Sequence, residues 1–438
     1  MPYIIKKFIP RPLISSYHFF LAKLASFYYG NPSKRMIVIG VTGTNGKSST
    51  VQIIADIISS CGKKIGFIST AEMQIGNSKV LNAMKMTMPG RFFLQKQMKN
   101  MLLAGCEYAI IETSSQGIEQ FRHVGINYDV AVCTNLTPEH IEAHGGFENY
   151  KKAKGKFFEH LARMPRKQLY GKTIEKVSVV NLDDSHASYF LQFLADRKIG
   201  YAFYGNYDIS GVEEIRANNI KLTGQGLSFE VLQSSVYSNL LGMHNAYNIL
   251  CALSVGFSLG LQIKKMAGGL KNIFIPGRME LIDEGQNFTV IVDYAPEPQG
   301  VGKLYKTIEL LHKNKIIHVL GSCGGGRDRT RRKVLGRMAG KFSHYVIATN
   351  EDPYDDDPME IINEVAQGAK EVGKKENENL FLFLDRREAI RKALSIAQAK
   401  DIVLITGKGC EQAMVVKNNK KIPWDDRVVA REELKKIL

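Results

Sequence analysis

The 438-residue sequence predicts an α/β protein built on two successive, mostly parallel sheets. Short apolar runs of buried-strand type alternate with helical segments, the pattern of strand–helix–strand crossovers. A glycine-rich loop stands between the first such run and a helical segment, at residues 40–48. The alternation pauses at Ile275-Pro276-Gly277 and then resumes, and the length exceeds what one compact core usually holds. The expected domains are a helical lead-in over 1–34, a central domain over 35–274 and a C-terminal domain over 275–438.

The lead-in ends at the turn Gly30-Asn31-Pro32-Ser33. Its apolar part, residues 13–29, is interrupted by His18 and Lys23 and falls short of the ~20 apolar residues of a membrane span. Lys6, Lys7 and Arg11 give it a basic start, but no small-x-small cleavage site follows. It is expected to form an amphipathic helix that packs on the body or lies on a membrane surface. Strands are expected at residues 36–39, 108–111, 130–133, 177–180 and 201–204 of the central domain. After the boundary they are expected at 290–292, 316–320, 345–347, 380–384 and 402–405.

Composition narrows the class. The apolar fraction of 44% is ordinary for a globular protein. The net charge of +16 would suit nucleic acid, anionic lipid or phosphorylated substrates. Basic residues are dense only at 327–333, with no zinc-finger spacing or aromatic-rich motif beside them, so no nucleic-acid partner is expected. The cysteines at 61, 106, 133, 251, 323 and 410 form no C-x-x-C pair, which fits a reducing cytoplasm.

The loop carries the chemistry. Gly40-Val41-Thr42-Gly43-Thr44-Asn45-Gly46-Lys47-Ser48 follows a strand and opens a helix. Glycines let backbone N–H groups converge on phosphate oxygens, Lys47 balances phosphate charge, and the Ser48 hydroxyl can ligate Mg²⁺. Val41 stands where the G-x-x-x-x-G-K-S/T pattern has its first glycine.

The string T-G-T-N-G-K-S resembles the ATP loop of the Mur ligases and the folylpolyglutamate synthases. Further segments resemble the family in order. They are Glu112-Thr113-Ser114-Ser115, Asn135-Leu136-Thr137-Pro138-Glu139-His140, Tyr150-Lys151-Lys152-Ala153-Lys154 and His244-Asn245-Ala246-Tyr247-Asn248. Then come Gly277-Arg278-Met279-Glu280, Asp293-Tyr294-Ala295 and Gly407-Lys408-Gly409-Cys410-Glu411. The resemblance implies a mostly parallel-sheet P-loop ATPase domain followed by a smaller Rossmann-like α/β domain. It implies an ATP-dependent amide-forming ligase that activates a carboxylate as an acyl phosphate. Gly43, Thr44, Asn45, Gly46, Lys47, Ser48 and Ser49, with Asn248, Arg278 and Asp293, would hold ATP. Ser48, Glu112, His140 and a carbamylated Lys154 would hold Mg²⁺, with Lys47, Glu112, His140 and Lys154 as the catalytic set. From its neighbours Lys151, Lys152 and Lys156 alone, Lys154 reads rather as a solvated lysine on a basic helix; the ordered motifs reverse that reading.

Within the family the sequence is similar to the MurE-type branch, which adds an amino acid to UDP-N-acetylmuramoyl-dipeptide. Ser114, Gln120 and Arg122 keep the branch's S-x5-Q-x-R spacing, and with Thr87 and Asn135 they would contact the UDP-sugar peptide. The amino acid is expected near Arg327, Glu351, Asp352, Gly407 and Glu411, with Arg327 on its α-carboxylate and the three acids forming an acidic far end. Such an end, without the arginine that Tyr354 displaces, favours lysine or ornithine over diaminopimelate.

The departures are specific. The ATP loop lies near residue 40, which leaves only the short lead-in where the family places its uridine-binding domain. Tyr354 replaces an arginine of the diaminopimelate-type motif, Gln116, Pro296 and Cys410 replace histidines, and Met88 replaces a threonine. The expected partners are UDP-N-acetylmuramoyl-peptide and an amino acid, for a monomeric cytoplasmic enzyme. A folylpolyglutamate-like ligase and a non-enzymatic ATP-binding relative are the alternatives.

Overall fold

The computed structural model describes residues 11–82, 84, 86–138, 144–311 and 313–438, with side chains from residue 13 onward. The chain divides into two compact units. The first runs to Lys221 and adds Leu227–Leu240 and His244–Ile273; the second comprises Leu222–Gly226, Leu241–Met243 and Phe274–Leu438.

The strands of the first unit are β1 (Ile37–Thr42), β2 (Ile65–Ile68), β3 (Glu72–Ile75), β4 (Ser78–Leu81), β5 (Tyr108–Glu112), β6 (Val130–Cys133) and β7 (Lys167–Leu169). They continue as β8 (Lys172–Ile174), β9 (Val177–Asn181), β10 (Arg197–Ala202), β11 (Glu213–Thr223), β12 (Gly226–Val231) and β13 (Ser234–Ser238). One sheet takes the order β13-β12-β11-β10-β9-β6-β1-β5-β2-β3-β4, and β7 pairs with β8 apart from it. Its centre is parallel. Every residue of β1, β5 and β6 is buried, as a sheet covered on both faces requires. The register sets Val41 opposite Glu112 and Thr42 opposite Cys133, so the three strands end together. Ligands of open parallel sheets gather at such carboxyl ends.

One expectation is adjusted and one strand is added. The strand expected at 201–204 runs over Arg197–Ala202. The Phe203 and Tyr204 backbone N–H groups donate to Asp183 Oδ2 at 2.7 and 3.2 Å, which takes the chain out of the ladder. Strand β4 is exposed throughout, so no apolar run announces it.

The second unit contains β14 (Glu280–Ile282), β15 (Thr289–Asp293), β16 (Ile316–Leu320), β17 (Tyr345–Thr349), β18 (Leu380–Phe383), β19 (Ile402–Thr406), β20 (Ala413–Val416) and β21 (Lys420–Pro423). Its main sheet has the order β14-β15-β19-β16-β17-β18, parallel except for β14. Apolar clusters cover both faces. One gathers Leu304, Ile308, Leu335 and Val365; the other gathers Ile390, Leu394, Val429 and Leu434. Each such side chain contributes about 1.5–3 kcal/mol on burial.

Candidate functional site

In the first unit the loop after β1 turns sharply into the helix Lys47–Ser60. Gly43 adopts φ 143°, and a Cβ there would lie 1.9 Å from Thr134 Oγ1. Only glycine combines that conformation with that approach. The loop is clamped by its neighbour strand. Asn135 Oδ1 accepts from Asn45 N at 2.9 Å, Asn135 Nδ2 donates to Asn45 O at 3.0 Å, and Thr134 Oγ1 donates to the same oxygen at 2.7 Å. The Thr44 and Tyr150 hydroxyls lie 3.1 Å apart. On the helix side, Asn248 Oδ1 accepts from Thr50 Oγ1 at 3.3 Å and would meet a Cβ on Gly46 at 2.4 Å. Ser49 is buried in the first helical turn.

Two lysines converge on one loop carbonyl. Lys47 Nζ donates to Gly43 O at 3.1 Å and to Thr44 O at 2.7 Å, and Lys154 Nζ donates to Gly43 O at 2.7 Å. Lys154 is 1% exposed and lies 4.4 Å from the centre of the Tyr150 ring, one helical turn earlier. Lys152 and Lys156 are exposed, so Lys154 belongs to the buried face of Phe147–Arg163 and is not a solvated lysine.

Glu112 ends β5 and is 2% exposed. Its Oε2 accepts from Ser48 Oγ at 2.8 Å and from Thr70 N at 2.7 Å. Thr70 Oγ1 lies 3.0 Å from Glu112 Oε2 and 2.9 Å from Thr87 Oγ1. The network continues through Met88, whose carbonyl accepts from Arg122, and Arg122 Nη2 donates to Gln120 Oε1 at 2.6 Å. Ser114 caps the short helix Ser115–Glu119 by accepting from Gly117 N. Thr70 is a member that sequence patterns do not reveal, since it lies in no motif. His140 lies outside the described residues.

No cluster of three His, Cys, Asp or Glu residues with metal-binding geometry occurs among the described residues. The donor set still fits magnesium, because Ser48 and Glu112 place hard oxygens together at a helix N-terminus. A charged Lys154 would be a poor neighbour for a cation, whereas a carbamate there would add an anionic oxygen.

The remaining candidates lie in the second unit. Arg278 Nη1 donates to Tyr294 O at 3.0 Å, and its guanidinium sits 4.5 Å from the centre of that ring. Asp293 Oδ2 accepts from Met279 N at 2.7 Å; burial raises its carboxyl to about 6, with Arg278 opposing. Arg327 lies beside Tyr354, whose ring packs against Gly325.

The acids expected at the far end of the amine pocket all have partners in the second unit. Asp352 Oδ1 accepts from Lys408 Nζ at 2.8 Å and from Val415 N at 2.7 Å, and Glu411 pairs with the same lysine. Burial opposes the charge on Lys408, yet Glu411 and Asp352 hold its pKa above the ordinary lysine value. Glu351 accepts from Cys323 Sγ at 2.9 Å and packs on Gly407, and burial raises its pKa. Two of the three carboxylates share one buried cation, so both have a charged partner while the cluster keeps a net negative charge.

Comparison with known proteins adds an independent line. Residues 41–256 match the Mur ligase middle domain, and residues 277–409 match the Mur ligase glutamate ligase domain. A UDP-N-acetylmuramoyl-L-alanyl-D-glutamate–2,6-diaminopimelate ligase of Geobacillus kaustophilus (strain HTA426) is 36% identical over 433 residues, covering 98% of this chain and 84% of the relative. A UDP-N-acetylmuramyl-tripeptide synthetase of Roseiflexus sp. (strain RS-1) is also 36% identical, covering 95% and 82%. A solved structure of a UDP-N-acetylmuramoyl-L-alanyl-D-glutamate–2,6-diaminopimelate ligase superposes with a TM-score of 0.61 at 29% identity, covering 92% of this chain and 79% of that one. A Mycobacterium tuberculosis folylpolyglutamate synthase shares the fold at 17% identity, with a TM-score of 0.63 and coverage of 89% and 92%.

Proposed function

The chain belongs to the Mur ligase family, and on that footing we propose that it joins an amino acid to the peptide carboxylate of UDP-N-acetylmuramoyl-dipeptide at the expense of ATP. The observation that carries this reading is the convergence of Lys47, Ser48, Glu112 and Lys154 around one phosphate-type loop, in a chain 36% identical to enzymes of that activity.

The chemistry divides into two steps. The substrate carboxylate attacks the terminal phosphorus of ATP, giving an acyl phosphate and ADP. The amine then attacks the acyl carbon, expelling phosphate and losing a proton, to leave the amide. Backbone N–H groups of residues 43–48 and the Lys47 ammonium face the charge that builds on the transferring group. Ser48, Glu112, His140 and carbamylated Lys154 are the proposed magnesium ligands; the ion, when bound, neutralises phosphate charge. Asn248, Arg278 and Asp293 are the proposed nucleotide contacts. Thr87, Ser114, Gln120, Arg122 and Asn135 are the proposed contacts to the UDP-sugar peptide.

The amine is proposed to meet Arg327, Glu351, Asp352, Gly407 and Glu411. Lys408 occupies both Asp352 and Glu411, which weakens the reason to prefer a purely cationic side chain. Diaminopimelate, named for the relatives, is therefore the proposed amine. A competition assay with lysine, ornithine and meso-diaminopimelate tests this choice: a preference for lysine would reverse it without disturbing the ligase reading.

A further inference from the structure

The helix Arg11–Tyr28 has two faces. Its inner face is tied to the first unit. Ser26 Oγ donates to Gly125 O at 2.7 Å, Arg91 Nη2 lies 3.1 Å from His18 Nδ1, and Ala22 and Ala25 are fully buried. The outer face carries Leu13, Tyr17, Phe20, Leu24, Phe27 and Tyr28, each between 41% and 75% exposed. Spacings of four and three residues set them in one stripe about 100° wide. A contiguous exposed apolar surface of this kind marks an interaction site.

Charge identifies what covers it. The sequence to residue 35 carries Lys6, Lys7, Arg11, Lys23, Lys34 and Arg35, and the first acidic residue of the chain is Asp56. Lys23, Lys34 and Arg35 are exposed. Two copies pairing through this face would bring the cations of this segment together, and the segment itself holds no carboxylate to offset them. A bilayer with anionic headgroups meets both features, since its acyl–headgroup boundary accepts Phe, Tyr and Leu while its phosphates attract the lysines. No helix of the described residues is long and apolar enough to cross a membrane, so the geometry is that of a helix lying in the surface plane. We propose that Arg11–Tyr28 binds an anionic phospholipid surface through this stripe. The proposal does not depend on the reaction the protein catalyses.

The test is co-sedimentation of the full chain with vesicles of phosphatidylcholine alone and of phosphatidylcholine mixed equally with phosphatidylglycerol. The chain should pellet with the mixed vesicles and be released by salt. Phe20→Glu with Phe27→Glu, or Lys34→Glu with Arg35→Glu, should weaken binding roughly tenfold or more while leaving phosphate release in solution unchanged. Those positions are exposed, so circular dichroism should show an unaltered fold. Failure to pellet with the mixed vesicles, or equal binding by the variants, would overturn the proposal. So would a dimer in sedimentation velocity that Phe27→Glu dissolves, which would assign the stripe to a second copy.

Discussion

Lys47 and Lys154 both reach the carbonyl oxygen of Gly43, yet they are expected to fail differently when truncated. Lys47→Ala should keep the fold, because this side chain is only half-buried and supports no core. It should lower phosphate release about a hundredfold or more, since a donor proposed to face the developing charge is lost. Circular dichroism and a phosphate assay check both halves. Lys154→Ala should be nearly inactive and partly rescued by acetate, which restores an anionic oxygen where the carbamate is proposed; full activity in the variant would remove Lys154 from the site. The loop lysine is legible from sequence because the residues around it form one contiguous string. Lys154 is legible only through the resemblance of its segment, for it lies among exposed lysines and its own neighbours do not separate it from them. Thr70 and the Lys408–Asp352 pair depend on contacts between distant segments, which no local pattern records. Asp293 makes a further prediction. Its folded pKa of about 6 exceeds the usual 3.8, so its stabilising contribution is full below the unfolded value and is lost as pH rises through about 6. Ionising it in place costs about 3 kcal/mol, and Asp293→Asn should flatten the fall in melting temperature between pH 4 and pH 7 (pH on the order of those bounds).

At the scale of elements, the central strands are legible because parallel strands buried on both faces are apolar throughout. The flanking strands β3 and β11 to β13 are partly exposed, β4 is wholly so, and all lack that run. Helix contacts are likewise invisible before folding. Helices Thr330–Phe342 and Pro358–Lys370 approach so closely that a Cβ on Gly336 would lie 1.8 Å from Val365 O, and one on Gly368 2.0 Å from Lys333 O. Because the obstacle is backbone, Gly336→Ala should destabilise the second unit by about 1–3 kcal/mol. Urea unfolding followed through Trp424 reads this directly, and an unchanged midpoint would place the helices further apart.

For the whole molecule, membership of the ligase family predicts that nucleotide stabilises the native chain. Magnesium and ATP at about a hundred times the dissociation constant should add roughly 2.7 kcal/mol, visible as a raised melting temperature. The order of segments along the sequence carries this identity more firmly than any one of them, because Cys410, Gln116 and Pro296 each break a local pattern while the sequence of loops and strands persists. The most direct measurement of the central claim is phosphate release by the purified chain with ATP, magnesium, UDP-N-acetylmuramoyl-dipeptide and a panel of amino acids, with product mass read alongside. The account predicts release that requires both the dipeptide and an amino acid, and a product heavier than the dipeptide by that amino acid less one water. Phosphate release indifferent to both acceptors, or ATP binding with no product under any amine, would contradict it.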